Sequence, residues 1–296
     1  MTVTVFLLVA LAASLHVLWN TLAKSSENKL CFAWLVSALG VALMGPIFLF
    51  CRVAAPGPLG GKVVAIAAGS GLLQATYFIT LSLAYARADL SVVYPLSRGV
   101  APLVTAAAAG RIVGDALDPL SGAAVAVVVV GVALVGAEAL RGRGQWRRDA
   151  CGILLALATG CLIGGYHLID RFAMAMPDRP RPLEYLFVLY SFMTFFLAPW
   201  VWLTRAGRGG IARELTANRK AVVTGGICVP LAYFLIVTAL RGGNVTYIAA
   251  ARNIGILIST AVGALFLKEA VGWKRAAGAA MIAAGVAALV VVSSHS

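Results

Sequence analysis

The sequence predicts an all-α integral membrane protein whose ten transmembrane helices form two inverted five-helix repeats. Three observations carry this. Of 296 residues 61% are hydrophobic and only 12% charged, with a mean hydropathy of +0.94, whereas ordinary soluble domains carry about 25% charged residues. Apolar runs of about 20 residues recur along the whole length, which is what a helix needs to span a hydrocarbon core of about 30 Å. Finally, a gapless offset of 154 superposes residues 87–135 on 241–289, pairing Arg87 with Arg241, Arg98 with Arg252, Thr105 with Ser259, Asp115 with Glu269, and Gly131-Val132-Ala133 with Gly285-Val286-Ala287. Five is odd, so the two halves enter the membrane from opposite sides. Many secondary transporters are built this way, with the substrate site near the midplane between the repeats.

Apolar runs read against polar breaks place the spans at 4–23, 31–51, 64–86, 91–110 and 120–140, then 151–174, 183–204, 221–240, 245–267 and 273–293. The first repeat is thus expected over 1–140 and the second over 151–296, with a basic connection at 141–150 between them. A second polar connection is expected at 205–220. The N-terminal apolar run lacks a basic segment ahead of it and holds His16, Trp19 and Asn20, so it reads as a retained first helix and not a cleaved signal. Spans 5 and 10 are dense in Gly and Ala, the composition of close helix packing within a chain or between two copies in a homodimer.

The net charge of +13 would suggest a nucleic-acid partner in a soluble chain. Here the basic residues fall in the short connections, with no aromatic-interleaved stripe or reading motif, so no nucleic-acid role is expected. Connections after the odd-numbered spans hold 15 Lys and Arg against 7 in the others, which places both termini on the non-cytoplasmic side of an inner or plasma membrane. Five cysteines without C-x-x-C spacing indicate neither a disulfide framework nor a metal site. A P-loop, H-E-x-x-H, G-x-S-x-G and a dinucleotide fingerprint are all absent from the sequence, which argues against an ATP-driven pump and against the common soluble enzymes.

Candidate functional residues are the polar groups set within apolar spans. Arg98 lies inside Y-P-L-S-R-G-V-A-P-L-V-T, where lipid exposure would cost about 2.5–3.5 kcal/mol or more, so it must face a cavity, a partner or the bundle interior. Tyr94, Ser97, Arg98 and Thr105 share one broad helical face. Pro95 and Pro102 leave carbonyls free beside the guanidinium, whose five fixed donors suit a carboxylate, phosphate or phosphonate. The alternatives for Arg98 are an ion pair with Asp170 or Asp89, or snorkelling to an interface. Arg252 and Asn253 repeat the arrangement in span 9, without prolines. His16, Trp19 and Asn20 share a face of span 1 that either lines a cavity or bonds a neighbouring helix. Gln74 and Tyr77 do the same in span 3. In span 6, Tyr166 and Asp170 stand one turn apart beside His167. Asp170 is a candidate proton carrier or counter-ion, or a boundary charge next to Arg171, and His16 titrates near neutral pH, so protons are a candidate coupling ion.

These patterns resemble the EamA family of the drug/metabolite transporter superfamily. The resemblance is carried by H-V-L-W-N-T-L-A-K in span 1, A-Y-A-R-A-D-L-S-V-V-Y-P-L-S-R-G-V-A-P-L across spans 3 and 4, Tyr166 with Asp170, and L-K-E-A-V-G-W before the last span. It implies a carrier of small metabolites that works without a tightly bound cofactor by alternating access to a central cavity. It implies cavity-lining roles for His16, Trp19, Asn20, Tyr94, Arg98, Tyr166 and Asp170, and it makes Lys268-Glu269 the family's acidic loop. The function expected is therefore secondary transport of a small polar, anionic metabolite such as an amino acid, an organic acid or a phosphonate-like compound. Rival readings are a flippase for lipid-linked substrates and an intramembrane enzyme using His16, His167 and Asp170 as acid and base.

Overall fold

A computed structural model describes residues 2–22, 26–55, 59–87, 90–139, 146–258 and 272–292. Every regular element among them is an α-helix. In chain order these are α1 (Val3–Leu22), α2 (Lys29–Ala54), α3 (Gly61–Tyr85), α4 (Leu90–Ile112), α5 (Pro119–Ala139), α6 (Trp146–Ala175), α7 (Pro182–Trp202), α8 (Arg205–Ala217), α9 (Arg219–Leu240), α10 (Val245–Ala251) and α11 (Trp273–Val292). Among the described residues α2, α3, α6, α7 and α9 are long and apolar enough to cross a membrane, and shorter apolar helical stretches occupy 3–18, 119–134, 245–258 and 276–292. The 23 residues of α4 reach about 34 Å at 1.5 Å per residue, enough to span as well.

The distribution of side chains is that of a protein solvated by lipid. Leu7, Leu11, Ile47, Phe50, Leu154, Phe195 and Trp200 point outward, while Ser70, Gln74, Arg98, Thr159, His167 and Asp170 are buried. In water that arrangement would expose a large apolar surface to solvent, whereas hydrocarbon favours it. The chain is an integral membrane protein.

Packing brings particular helices together. The main neighbours are α5 with α11, α2 with α7, α4 with α5 and α6, α3 with α6 and α7, and α9 with α1 and α2. Glycine sets the closest approach. A Cβ on Gly131 of α5 would come within 2.7 Å of the Gly278 carbonyl oxygen and 3.0 Å of Ile282 on α11. One on Gly285 of α11 would come within 2.8 Å of the Ala124 carbonyl oxygen and 2.7 Å of Val128 on α5. These contacts are reciprocal, because Ala124 and Gly278, Val128 and Ile282, and Gly131 and Gly285 are each 154 residues apart.

Three local features depart from the sequence expectations. Residues 205–217, expected as part of a polar connection, form α8, whose Thr204 caps the Gly207 N–H at 3.0 Å. The side chain of Glu214, 1% exposed, accepts from the Ser26 hydroxyl and from the Glu27 and Asn28 N–H groups, each at 3.0 Å. α8 therefore anchors the segment leading into α2, whose own N-terminus is capped by the Asn28 side chain on the Cys31 N–H at 3.2 Å. The second departure is that α6 begins at Trp146, inside the segment expected to be the inter-repeat loop. Lastly, the ninth span is not one continuous helix: α10 ends at Ala251, Arg252 and Asn253 form a turn, and helix resumes over 254–258. The remainder of that span, including Ser259, Lys268 and Glu269, lies outside the described residues.

At one end of the bundle the chain is tied across its two halves. Asp115, between α4 and α5, receives two hydrogen bonds from Arg171 of α6, at 3.0 Å from Nε and 2.9 Å from Nη2. It also accepts the Val245 N–H of α10 at 2.8 Å. Arg171 donates a third bond to the Leu240 carbonyl of α9 at 2.8 Å. Nearby, Asp118 accepts from the Ser121 and Leu120 N–H groups at the start of α5 and from the Tyr247 hydroxyl of α10. Hydrogen bonds, those from Ser121 foremost, hold its carboxyl below the ordinary Asp range.

Candidate functional site

The interior polar residues converge on a central cavity with about 490 Å³ of space free of protein atoms, counted out to its open mouth. Helix periodicity explains the convergence. On α1, Ala12 and His16 are one turn apart, and on α3 Gln74, Tyr77 and Phe78 lie at i, i+3 and i+4, so each set shares one face. On α9, Val229, Ala232, Tyr233 and Ile236 repeat that spacing, and α6 and α7 add Tyr166 and Tyr190. Arg98 of α4 and Arg252, at the C-terminal cap of α10, complete the lining.

Each arginine is hydrogen-bonded to a histidine. Arg98 Nη2 contacts His16 Nε2, and Arg252 Nη1 contacts His167 Nε2. A guanidinium can only donate, so both imidazoles accept at Nε2. They are therefore neutral and carry their proton on Nδ1. For His167, which is 2% exposed, that Nδ1–H has no hydrogen-bond acceptor among the described residues.

Asp170 stands at the back of the cavity wall and is fully buried. Its carboxylate accepts the Tyr185 hydroxyl at 2.6 Å and the Tyr233 hydroxyl, and Ser70 also bonds to it. Gln74 in turn donates to Ser70 at 3.4 Å. Because Tyr233 also lines the cavity, a chain of polar atoms runs from the cavity to the carboxylate. The rings of Tyr77 and Tyr233 meet Tyr166 edge to face at centroid distances of 6.1 and 5.9 Å. Such T-shaped contacts fix aromatic walls in place.

Of the residues singled out from sequence, His16, Gln74, Tyr77, Arg98, Tyr166 and Arg252 come together around this one cavity. Asp170 belongs to the same cluster, but the bonds described for it come from tyrosines and a serine. Asn253 is placed differently: it is 1% exposed, and its amide oxygen and nitrogen have no partner among the described residues. The side chains of Trp19, Asn20 and Tyr94, and all of Asp89, lie outside the described residues. Sequence reasoning left Tyr185, Tyr190 and Tyr233 out of the site, and named His167 only as an acid or base in the rival enzyme reading. His167 had a readable signal, since H-V-L-W-N at His16 aligns with H-L-I-D-R at His167 under an offset of 151, outside the segment that matches at 154. The three tyrosines were legible only as lone phenols in apolar helices, a pattern that ordinary packing also produces.

Comparison with known proteins agrees with this architecture. The profile of the EamA-like transporter family matches residues 150–291. No curated protein matches the chain in sequence. A solved crystal structure resembles it with a TM-score of 0.72 at 19% identity, covering 100% of this chain and 99% of the other. That likeness speaks to the fold.

Proposed function

We propose that this chain, which carries at residues 150–291 an EamA-like transporter domain of the drug/metabolite transporter superfamily, is a secondary transporter for a small anionic metabolite. One observation carries the reading. Two arginines 154 residues apart, Arg98 and Arg252, face a single interior cavity, and each is held there by a neutral histidine of its own half. A guanidinium binds carboxylate or phosphate oxygens bidentately, and within a membrane its charge marks a substrate path more often than a scaffold. Tyrosines on four helices supply further donors and flat walls for a compact solute.

The proposed architecture is ten spans, α1 to α7, α9, α10 with its continuation, and α11, arranged as two inverted five-helix repeats. The helix pairings support it. Exchanging the first five spans for the second five turns α3 against α6 into α9 against α1, and α3 against α7 into α9 against α2. The pairs α5–α11 and α2–α7 map onto themselves, and the Gly131 and Gly285 contacts map onto each other. Self-complementary contacts of this kind accompany a two-fold axis. Alternating access then consists of the halves rocking about the cavity. In this structure the clamp of Asp115 on Arg171 and Val245, with Arg171 also bonded to the Leu240 carbonyl, draws α4–α5, α6, α9 and α10 together at one end. The Lys and Arg bias makes that the non-cytoplasmic end, where both termini lie.

The test is flux. Purified chain in proteoliposomes is offered radiolabelled amino acids, dicarboxylates, phosphonates, and neutral and cationic controls. Uptake of one or more anions is expected, falling at least tenfold in Arg98→Ala and Arg252→Ala proteins that reconstitute in equal amount. Flux confined to neutral or cationic solutes, or anion flux indifferent to both substitutions, refutes the reading.

A further inference from the structure

The two arginine–histidine contacts do something that a lone arginine does not. In each, the guanidinium N–H donates to imidazole Nε2, so the resting pair holds one charge and one neutral ring. A substrate oxygen carrying negative charge is a stronger acceptor than a neutral imidazole nitrogen. When such an oxygen takes the arginine donor, His Nε2 loses the proton donor it was paired with and stands beside an anion. The guanidinium cannot change its charge, whereas imidazole can take a second proton once an anion offsets the neighbouring arginines. With that proton, Nε2–H becomes a second donor to the same anion. Without the anion, two adjacent cations would repel each other, so the proton and the anion favour each other's binding.

We infer that each arginine–histidine pair is a joint site for one anionic group and one proton, so that the carrier takes up protons together with its anion. This rests on the anion reading above and deepens it by naming the coupling ion and the groups that hold it. Duplication supports it: His16 of α1 with Arg98 of α4, and His167 of α6 with Arg252 of α10, occupy corresponding places in the two halves. The buried, unaccepted Nδ1–H of His167 marks a place where donors already exceed acceptors. The charged or titratable groups facing the histidines are Arg98, Arg252, Asp170 on α6 itself, Tyr77 on α3, Tyr190 on α7 and Tyr233 on α9, besides Tyr166 against His167. Of these only Asp170 could compete for the same proton, so it is tested as well.

Sulfate and acetate serve as probes because both stay almost fully ionised between about pH 6 and 8, so that a pH dependence of binding comes from the protein. Binding to the purified full-length chain is measured by calorimetry in two buffers of different ionisation enthalpy, which counts protons taken up and needs no variant. Net uptake is expected, with affinity for the bound probe approaching a tenfold gain per unit fall in pH where one proton is linked. His16→Gln and His167→Gln keep a polar side chain that cannot be protonated, and each should flatten the slope, while Asp170→Asn should retain it. Binding of either probe without proton uptake overturns the inference and leaves the anion reading standing. A slope that survives both glutamine substitutions and vanishes in Asp170→Asn overturns it too, moving the proton to Asp170. Failure of both probes to bind at any pH overturns the inference and the anion site together.

Discussion

Replacing Arg171 with Met tests whether the end clamp holds the two halves together. The side chains of Arg171 and Asp115 are 16% and 8% exposed, between the surface case, where an ion pair contributes at most about 1 kcal/mol, and the buried case, where removing one partner costs about 3–5 kcal/mol. The substitution deletes two bonds to Asp115 and leaves the Leu240 carbonyl without its 2.8 Å donor. Asp115 retains the Val245 N–H, so a loss of about 2–3 kcal/mol follows from the intermediate burial. Asp115→Asn weakens the same bonds from the other side and should cost less, because the Asn oxygen still accepts from Val245. The assay is thermal unfolding in one detergent for the wild type, both single variants and the double variant. The double variant should be little worse than Arg171→Met alone, giving a coupling of about 1 kcal/mol or more. Additive losses with coupling below about 0.5 kcal/mol refute the idea that the pair acts as one clamp.

Two further predictions probe the scaffold. Gly131→Ala places a methyl 2.7 Å from a backbone oxygen that cannot move aside and should destabilise by about 1–3 kcal/mol. Gly122→Ala in the same helix, with nothing within 4 Å, should be neutral or stabilising by up to about 1 kcal/mol; equal unfolding temperatures for the two would contradict the close α5–α11 contact. Glu214→Ala removes the acceptor for Ser26, Glu27 and Asn28, and a loss of about 2 kcal/mol is expected from leaving buried donors unmet. It should be accompanied by faster hydrogen exchange at Glu27 and Asn28, and unchanged exchange there would mean that α8 does not anchor the segment entering α2.

The sequence made the helical class and the residues of the cavity legible for the same physical reason. A bilayer penalises polar side chains so strongly that each one inside an apolar run must be accounted for, and Arg98, Arg252, His16 and Gln74 all declared themselves in this way. What stayed hidden is what lipid does not penalise. Tyr185, Tyr190 and Tyr233 carry one hydroxyl on an apolar ring, so nothing in their local sequence separates a phenol bonded to a carboxylate from one that merely packs. α8 was missed because G-R-G-G inside it has poor helix propensity. Its stability comes from Thr204 at one end and from the bonds that Glu214 makes to a segment 186–188 residues away, a tertiary contribution that no local window contains.

The offset of 154 pairs two stretches of sequence, but the structure gives those stretches different backbones. Span 4 holds Pro95 and Pro102 yet remains one helix, while the corresponding span without prolines breaks at Arg252–Asn253. Proline removes a donor at fixed positions without ending a helix whose freed carbonyls find other partners. The second copy is broken where no proline requires it. Its break puts Arg252 at a helix C-terminus, where the end carbonyls favour a cation, whereas Arg98 lies within a helix and receives no such help. The two arginines therefore differ in their resting environment although their histidine partners match.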